Sequence, residues 1–577
     1  MNHRMNWLGV LAVGVFVACD GSSSASQPPS QGGAQQTPSI RGIAQGGGAS
    51  DGASSTQDVP SPGGGLNIIA GGQLASDSAG APAALDGPTR AGRDASEPRA
   101  GQSTRSDTPD DLDSDKDILI PGTPENTPGE FRRPENPNCA SIDVVYPTTG
   151  TVFPINIRGV AVQWTTRLSG PFRVRLNTGR FTVAWYTTEK VLVLDDQAWE
   201  DLKSSALQAE PIRIDVSAND GAAGDTCVSD PLTVVIDGSP LKGAVYYWST
   251  SDSGIMRLAA GDTAPEPFLN PQTAPQINCP ACHALSRDGR KIAFTRTTFP
   301  PMGNLAISST LAPTELFFEP GSYPQGIVGF FPSFAPDSER IVSSSDGQLI
   351  IRNVEDAMEL GRLPLPPMRV AMSPDWSWQG ERIVAAMGEP IPFAIPNPLV
   401  NLNDTGIIRG RIAQWHVVDD GWSMPEVLVE PDVDWSADRP SYSPNGQYIA
   451  YNWAGPDTNE ETDGNLNSEI WIVSPEGGPP IRLDQANGPM LSGNSWAKWA
   501  PNPGRNGRMW LAFSSLRSYG TTINNALSDS PTPQIWVTAI DPNAPQGFDP
   551  SAPAFWLPYQ NPESGNHIPY WAVYEKN

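Results

Sequence analysis

The sequence predicts an all-β protein, in which a six-bladed β-propeller follows a small β-sandwich and a disordered tether. Two observations carry this prediction. Short runs rich in β-branched and aromatic residues, separated by Gly, Pro, Asn or Asp, fill residues 138–238. After residue 243, one turn–strand motif recurs five times at intervals of roughly 40–70 residues, as expected for propeller blades.

The composition narrows the possible function classes. Of 577 residues, 60 are Pro and 55 are Gly, and the formal net charge is −26. This acidic balance argues against nucleic acid as a partner, because binding phosphates requires a basic patch. The 18 Trp against 5 Cys indicate a core that depends on aromatic burial more than on disulfides.

Residues 1–19 resemble a bacterial lipoprotein signal peptide. The apolar run at 7–18 is too short to span a membrane as a helix, and it ends at Cys19. Cys19 is therefore predicted to carry the lipid, although plain secretion stays open because Phe16 is an unusual start to the lipid-attachment motif. The expected location is the bacterial cell envelope, periplasmic or on the outer surface, with the membrane as a partner only through this anchor.

Residues 20–137 are predicted to form the disordered tether. They are mostly Gly, Ser, Ala, Gln, Pro and Asp, and Phe131 is their single aromatic residue. Such a segment cannot bury enough apolar surface to offset the loss of backbone entropy. The acidic run at 111–117 lacks the Gly and distal Glu of a calcium-binding loop, so it is interpreted as a solvated charge cluster.

The runs at 138–238 resemble Ig-like or fibronectin-like β-sandwich modules of bacterial proteins. Within them only DQAWEDLKSSA (196–206) has a helical pattern. Cys139 lies at the first strand and Cys227 near the last. In an exported protein the two are predicted to form a disulfide across the sandwich.

The repeats at 243–577 carry the most specific resemblance. Their motif is an aromatic or apolar residue, then Ser or Ala, a Pro/Asp/Gly turn and an apolar strand, with the Ser or Ala at 286, 335, 373, 443 and 500. Together with the outer hairpin at 468–483, the motif resembles TolB-type propellers. The resemblance implies a propeller that serves as a binding platform, lid or scaffold, with a cell-envelope protein as the expected partner.

The sixth blade is predicted to combine strands from both ends of this region. NHIPYWAVY (566–574) repeats the inner-strand pattern without outer strands after it, whereas AVYYWSTSDSGIMRL (244–258) is an outer hairpin without an inner strand before it. Joining the two would remove an open sheet edge.

The segment Cys279-Pro-Ala-Cys282-His283 begins the first inner strand and has the spacing of a c-type haem attachment site. Aligning the inner strands places His283 in a ring of otherwise apolar residues at one mouth of the channel. The predicted ring is His283, Pro332, Val370, Pro440, Ala497 and Pro569. His567 of the last blade is expected to approach His283 across the gap between neighbouring blades.

Three chemistries fit this segment. In the first, Cys279 and Cys282 bind haem c, His283 is the proximal ligand and His567 is the leading distal candidate, so that the protein passes electrons to a redox partner. In the second, the same four residues bind zinc. In the third, the two cysteines form a disulfide and His283 only packs.

An enzyme is not expected. The sequence contains no HExxH motif and no phosphate-binding loop, and four His leave few groups for acid–base chemistry. Hydrolase activity is therefore not predicted. The two classes that remain are a haem-carrying electron-transfer protein and a non-catalytic binding or scaffold propeller.

Overall fold

A computed structural model describes most of the chain after residue 114. The described residues are 115–132, 136, 139, 141–206, 210–220, 225–275, 277, 280–297, 302–318, 326–390, 406–419, 421–432, 435–455, 466–489, 492–504, 507–525, 528 and 531–574. The predicted signal peptide, Cys19 and residues 20–114 of the predicted tether lie outside them. No helix in the described ranges is long and apolar enough to cross a membrane.

The first part of the structure is a β-sandwich with two short helices. Its strands are β1 (Lys116–Leu119), β2 (Ile142–Tyr146), β3 (Val152–Pro154), β4 (Ala161–Thr166), β5 (Phe172–Asn177), β6 (Thr182–Thr187), β7 (Val191–Val193), β8 (Pro211–Asp220), β9 (Asp225–Val228) and β10 (Leu232–Asp237). The helices are α1 (Thr127–Glu130) and α2 (Asp196–Ser205).

The strands form two sheets. The larger sheet has seven strands in the order β1-β6-β5-β8-β10-β3, with β9 added to β8, and the smaller sheet has the order β2-β4-β7. Alternation explains the buried face, since Leu232, Val234 and Ile236 of β10 point into the core and the residues between them do not. Cys139 and Cys227 form a disulfide with their Cα atoms 5.4 Å apart.

Helix α2 occupies the only segment for which the sequence predicts a helix in this part. Its N-cap residue, Asp195, accepts a hydrogen bond from the backbone N–H of Ala198 at 2.9 Å. Trp199 and Leu202 lie on one face and are buried in the sandwich core. The prediction of a helix is confirmed.

Order begins before residue 138, so the predicted boundary of the tether is wrong at this end. Strand β1 pairs in parallel with β6, and the Lys116 ammonium lies 3.0 Å from the Asp201 carboxylate. Phe131 is 1% exposed and packs against Tyr186 at a ring distance of 5.7 Å. The buried Phe131 ring and the pairing of β1 help to order a segment whose overall composition indicates disorder.

The second part is a propeller of six sheets. Its strands up to the end of the second blade are β11 (Ala244–Ser249), β12 (Gly254–Ala259), β13 (Glu266–Leu269), β14 (Pro280–Leu285), β15 (Lys291–Thr297), β16 (Met302–Ser309), β17 (Ala312–Leu316), β18 (Phe330–Phe334), β19 (Arg340–Ser345), β20 (Gln348–Asn353) and β21 (Glu359–Arg362). Blade 1 consists of β14–β17 and blade 2 of β18–β21.

The remaining strands complete the ring. They are β22 (Val370–Trp376), β23 (Arg382–Glu389), β24 (Ile408–Val418), β25 (Gly421–Trp422), β26 (Glu426–Val429), β27 (Ser436–Tyr442), β28 (Ile449–Ala454), β29 (Glu469–Val473), β30 (Ile481–Arg482), β31 (Ser495–Trp499), β32 (Met509–Ser515), β33 (Gln534–Ile540), β34 (Phe555–Trp556) and β35 (Asn566–Ala572), with a one-turn helix α3 (Asp484–Asn487). Blade 3 consists of β22–β26, blade 4 of β27–β30 and blade 5 of β31–β34.

Blade 6 combines strands from both ends of the propeller, with the order β13-β12-β11-β35. Strands β11 and β35 are antiparallel, and Val245 lies opposite Trp571. Strand β35 packs beside β14 of blade 1 and β31 of blade 5, so the six inner strands form a closed ring. The predicted six-bladed propeller with a shared blade is confirmed.

Every inner strand contains a bulge at an equivalent position. One non-glycine residue there has a positive φ of 46–58°, and these residues are Cys282, Phe331, Ser373, Arg439, Trp496 and Ile568. Strand pairing shifts register at each of them. Residues with a side chain seldom adopt this conformation, so its recurrence in all blades marks a constructed feature of the channel.

In blade 3 the register predicted from the sequence is wrong by four residues. The Ser377 N–H donates to the Arg382 carbonyl at 2.8 Å, as the Ser286 N–H of blade 1 does to Lys291 at 2.9 Å. The turn residue is therefore Ser377 and not the predicted Ser373. Consequently Pro374, not Val370, lies at the level of His283.

The sandwich and the propeller share one hydrophobic core. Phe153 of the sandwich packs against Phe555 of blade 5 at a ring distance of 5.2 Å. The Trp556 backbone N–H donates to the Tyr146 hydroxyl at 3.2 Å, and the side-chain amide oxygen of Gln163 accepts a hydrogen bond from the backbone N–H of Thr521 at 2.8 Å. The two parts therefore form one continuous body across the boundary predicted near residue 238.

Candidate functional site

Two of the residues singled out in the CxxCH motif lie on β14 at the start of blade 1. Cys282 and His283 are each only 4% exposed. Cys279 lies outside the described residues. His567 is half-buried on β35 of the neighbouring blade, as the alignment of the blades predicts.

His283 connects blade 1 to blade 6. Its Nε2 lies 3.3 Å from the backbone carbonyl oxygen of Tyr246, so Nε2 carries the hydrogen and donates, which leaves a lone pair on Nδ1. Burial lowers the pKa of His283 to about 4; the bond to Tyr246 opposes this shift, and the charges of His567 and Lys498 add to it. The imidazole is therefore neutral at physiological pH.

The described residues of the CxxCH motif are closely packed. Cys282 packs in an apolar cluster with Phe331, Met372 and Trp496, and the cavity beside it measures about 30 Å³. Among the described residues, no three His, Cys, Asp or Glu side chains are grouped as a metal site requires. The haem, zinc and disulfide interpretations all depend on Cys279, so they stay predictions.

The cavity lies among the six inner strands of the propeller. The six bulge residues, here called the mouth ring, line it: Cys282, Phe331, Ser373, Arg439, Trp496 and Ile568. One residue further along each strand is His283, Pro332, Pro374, Pro440, Ala497 or Pro569, and all of these except Ala497 also line the cavity. His283 is therefore the single ionisable residue at a level where the other strands have Pro or Ala.

Several buried polar atoms around this cavity lack hydrogen-bond partners in the described structure. Three of them are Nδ1 of His283, the hydroxyl oxygen of Ser373 and Nε1 of Trp496. An unsatisfied buried donor or acceptor costs about 1–3 kcal/mol, so proteins seldom retain several in one place without a ligand or water. Because they surround one cavity, they make it a candidate binding site, in which water or a ligand would be their partner.

Two cationic side chains line the cavity. The Arg439 guanidinium lies 4.2 Å from the Trp496 ring centroid and pairs with Asp438 at 2.7 Å. Lys498 is largely buried, and burial lowers its pKa, although Asp375 opposes that shift. No Asp or Glu is among the described residues that line the cavity.

A buried carboxylate, Asp375 on β22, joins five blades below the cavity. Its oxygens accept hydrogen bonds from the Ser333 hydroxyl at 3.2 Å and the Tyr442 N–H at 2.8 Å. The Arg287 guanidinium and the Lys498 ammonium lie 3.6 and 3.8 Å away. This cluster fixes Lys498 at the base of the cavity.

Sequence reasoning found His283 and Cys282 but missed Ser373, Arg439, Trp496 and Lys498. A usable signal was present, because the mouth ring lies three residues before the aromatic or apolar residue that precedes each turn. The residues of the mouth ring face one another because of the bulge, and no sequence pattern predicts that bulge.

Acidification is expected to destabilise the protein through His283. The folded pKa is about 4, and the ordinary value is 6.5. Between these values the unfolded chain binds a proton that the folded chain excludes. The part of the free energy of unfolding that depends on neutral His283 is therefore complete above about pH 6.5. It is lost as the pH falls towards 4, and it amounts to about 3 kcal/mol.

The variant His283→Gln tests this expectation, because its amide can still donate to Tyr246 but cannot titrate. Urea unfolding at pH 7 and pH 4.5 should show that the wild type loses about 2–3 kcal/mol more than the variant over this interval. Equal losses in the two proteins would mean that His283 does not resist protonation.

Comparison with known proteins adds little beyond the fold. No protein-family model matches the chain, and no curated protein is significantly similar to it. Among solved structures, TolB from Acinetobacter baumannii is 11% identical over 76% of this chain and 100% of its own, with a TM-score of 0.38. An oligogalacturonate lyase from Vibrio parahaemolyticus is 12% identical over 45% of this chain and 61% of its own, with a TM-score of 0.29. At these values the likeness carries no conclusion about function, and the propeller rests on its own sheet topology.

Proposed function

We propose that the protein is an exported, non-catalytic binding propeller of the bacterial cell envelope, anchored by a lipid at Cys19. Its ligand places a polar group in the cavity of the mouth ring. The observation that carries this proposal is the set of three buried, unpartnered polar atoms from three different blades. The export and anchoring part rests on residues 1–19.

The chemistry of the cavity favours binding over catalysis. Nucleophilic catalysis needs a nucleophile within hydrogen-bond reach of a base that is itself oriented. Ser373 has no hydrogen-bond partner in the described structure, and Nε2 of His283 is already committed to a backbone carbonyl. Cys282 lies among apolar side chains, which disfavour a reactive thiolate.

Binding can be tested without knowing the natural ligand. The exported protein, labelled with ¹⁵N-tryptophan, would be titrated separately with acetate, acetamide and ethylammonium. At least one of these should shift the indole N–H signal of Trp496, which the variant Trp496→Phe assigns.

Two matched variants locate the effect. Ile568→Trp fills the mouth and should abolish the shift, whereas Leu311→Trp adds the same ring at a position on blade 1 that is 82% exposed and should leave it unchanged. No shift with any fragment, or a shift that survives Ile568→Trp, would overturn the proposal.

The spacing of Cys279, Cys282 and His283 supports a second candidate, a c-type haem for electron transfer. Protein exported from a host with intact cytochrome c maturation would then show a Soret band that survives denaturation, because the links are covalent. A colourless protein whose mass fits a Cys279–Cys282 disulfide would reject the haem candidate, and the binding propeller would remain as the proposed function. Stoichiometric zinc that is lost in His283→Gln would select the metal site instead.

A further inference from the structure

From the charges and hydrogen-bonding groups of the mouth ring, we infer that the cavity binds a carboxylate at the end of an apolar group. This inference rests on the proposed binding function and specifies its ligand. The shared chemistry covers two sources, the C terminus of a peptide and a small monocarboxylate.

Charge is the first reason. Lys498 and Arg439 line the cavity, and the Arg439 guanidinium is paired with Asp438 at 2.7 Å. A second buried carboxylate, Asp375, faces both Arg287 and Lys498, so that this group of three side chains keeps one positive charge. In a chain with a net charge of −26, such a local excess favours an anionic ligand.

The polarity of the hydrogen-bonding groups is the second reason. The Trp496 indole can only donate, and the Lys498 ammonium carries donors beyond the one that faces Asp375. The Ser373 hydroxyl can also donate. A carboxylate offers two oxygens that only accept, which matches this set.

His283 distinguishes between the two sources. With Nε2–H directed at Tyr246, its Nδ1 accepts a hydrogen bond. A fatty carboxylate has no donor for this nitrogen. The last residue of a peptide has one, because its backbone N–H lies next to the carboxylate, so the geometry points to the peptide terminus as the tighter ligand.

The size of the cavity and the nature of its rim set the rest of the ligand. About 30 Å³ accommodates two or three water-sized groups, so the two oxygens of a carboxylate fit. Phe331 and Trp496 pack 5.7 Å apart at the rim, and Ile568 beside them is partly exposed. An apolar side chain next to the carboxylate would cover this rim.

The test compares acids with their amides. N-acetyl-leucine, N-acetyl-leucinamide and hexanoate would be titrated into the ¹⁵N-tryptophan-labelled exported protein, with the Trp496 indole signal as the readout. N-acetyl-leucine should bind at least tenfold more tightly than N-acetyl-leucinamide and more tightly than hexanoate. Tighter binding of hexanoate would select the small monocarboxylate as the source.

Variants confirm which residues act. Lys498→Gln should weaken binding of N-acetyl-leucine by about 10–100-fold, as loss of a charge-assisted hydrogen bond does. Ser373→Ala, which leaves the Asp375 cluster intact, should weaken it less. Lys291→Gln, which changes a lysine that pairs with Glu355 and does not line the cavity, should have no effect. If Lys498→Gln does not fold, Ser373→Ala alone decides, and unchanged affinity in it overturns the inference.

The two proposals fail in different ways. If N-acetyl-leucinamide or a cation shifts the Trp496 signal as strongly as the free acid does, the cavity binds ligands but the carboxylate assignment is wrong. If no probe of any charge shifts that signal, the proposed binding function itself is overturned.

Discussion

Removal of residues 566–577 is expected to abolish the folded state. The deletion removes β35, which supplies the inner strand of blade 6 and packs against the inner strands of blades 1 and 5. Tyr570 and Trp571 leave the core with it, and the Trp571 indole no longer donates to the Lys242 carbonyl at 2.9 Å. Loss of one large aromatic costs about 3–5 kcal/mol. Two such losses are comparable to the roughly 5–15 kcal/mol by which domains are stable, and the deletion also leaves β11 as an exposed sheet edge.

Size-exclusion chromatography and thermal melting followed by circular dichroism would check this expectation. The truncated protein should be insoluble, aggregated or without a cooperative transition. Trp571→Ala should give an intermediate loss, and Trp422→Ala, which removes a half-buried ring from the outer hairpin of blade 3, should cost less than Trp571→Ala. A truncated protein with the wild-type melting temperature would show that blade 6 does not need β35.

The overall architecture could be predicted because it follows from local pattern. The turn motif fixes where each inner strand ends, and the apolar strand after it follows at once along the chain. The shared blade was predictable for the same reason, since Pro569-Tyr570-Trp571 repeats the inner-strand pattern of Pro332-Ser333-Phe334. An inner strand without outer strands after it requires a partner from elsewhere in the propeller.

The register of blade 3 could not be predicted because its local pattern is ambiguous. Ser373-Pro374-Asp375 has the letters of the turn motif, but Ser377 makes the turn hydrogen bond. Motif matching compares only residue types, whereas the position of the turn depends on which residues form the backbone hydrogen bonds. This error placed Ser373 in a turn, whereas in the structure it lies in the mouth ring around the cavity.

The candidate site depends on contacts between distant parts of the chain. Lys498 and Asp375 lie on different blades, and their proximity follows from ring closure rather than from spacing. His283 was visible as an exception among apolar residues, but its partner is the backbone carbonyl of Tyr246. Any residue type at position 246 provides that oxygen, so side-chain identity carried no information about it.

Asp375→Asn is expected to destabilise the propeller by about 3–5 kcal/mol, the range measured when one partner of a buried ion pair is removed. Asp375 is 1% exposed, and the side chains of Arg287 and Lys498 are 14% and 18% exposed, so water does not replace the lost charge. In the wild type, the Tyr442 N–H and the Ser333 hydroxyl both donate to the carboxylate. The asparagine amide would place an N–H group against one of these two donors. The loss spreads across five blades, because each of them contributes one group to the cluster.

Urea unfolding followed by tryptophan fluorescence would measure this change against an exposed control. Glu359→Gln breaks a surface pair with Arg362, whose partners are 37% and 55% exposed, and should change the free energy of unfolding by less than about 1 kcal/mol. The double variant Asp375→Asn/Lys498→Gln removes a cation together with its counter-charge. It should be less destabilised than the sum of the two single variants, because the uncompensated positive charge is what the single Asp375 change leaves behind. Additive losses in this cycle, or an Asp375→Asn protein as stable as the Glu359→Gln control, would show that the carboxylate does not hold the blades together.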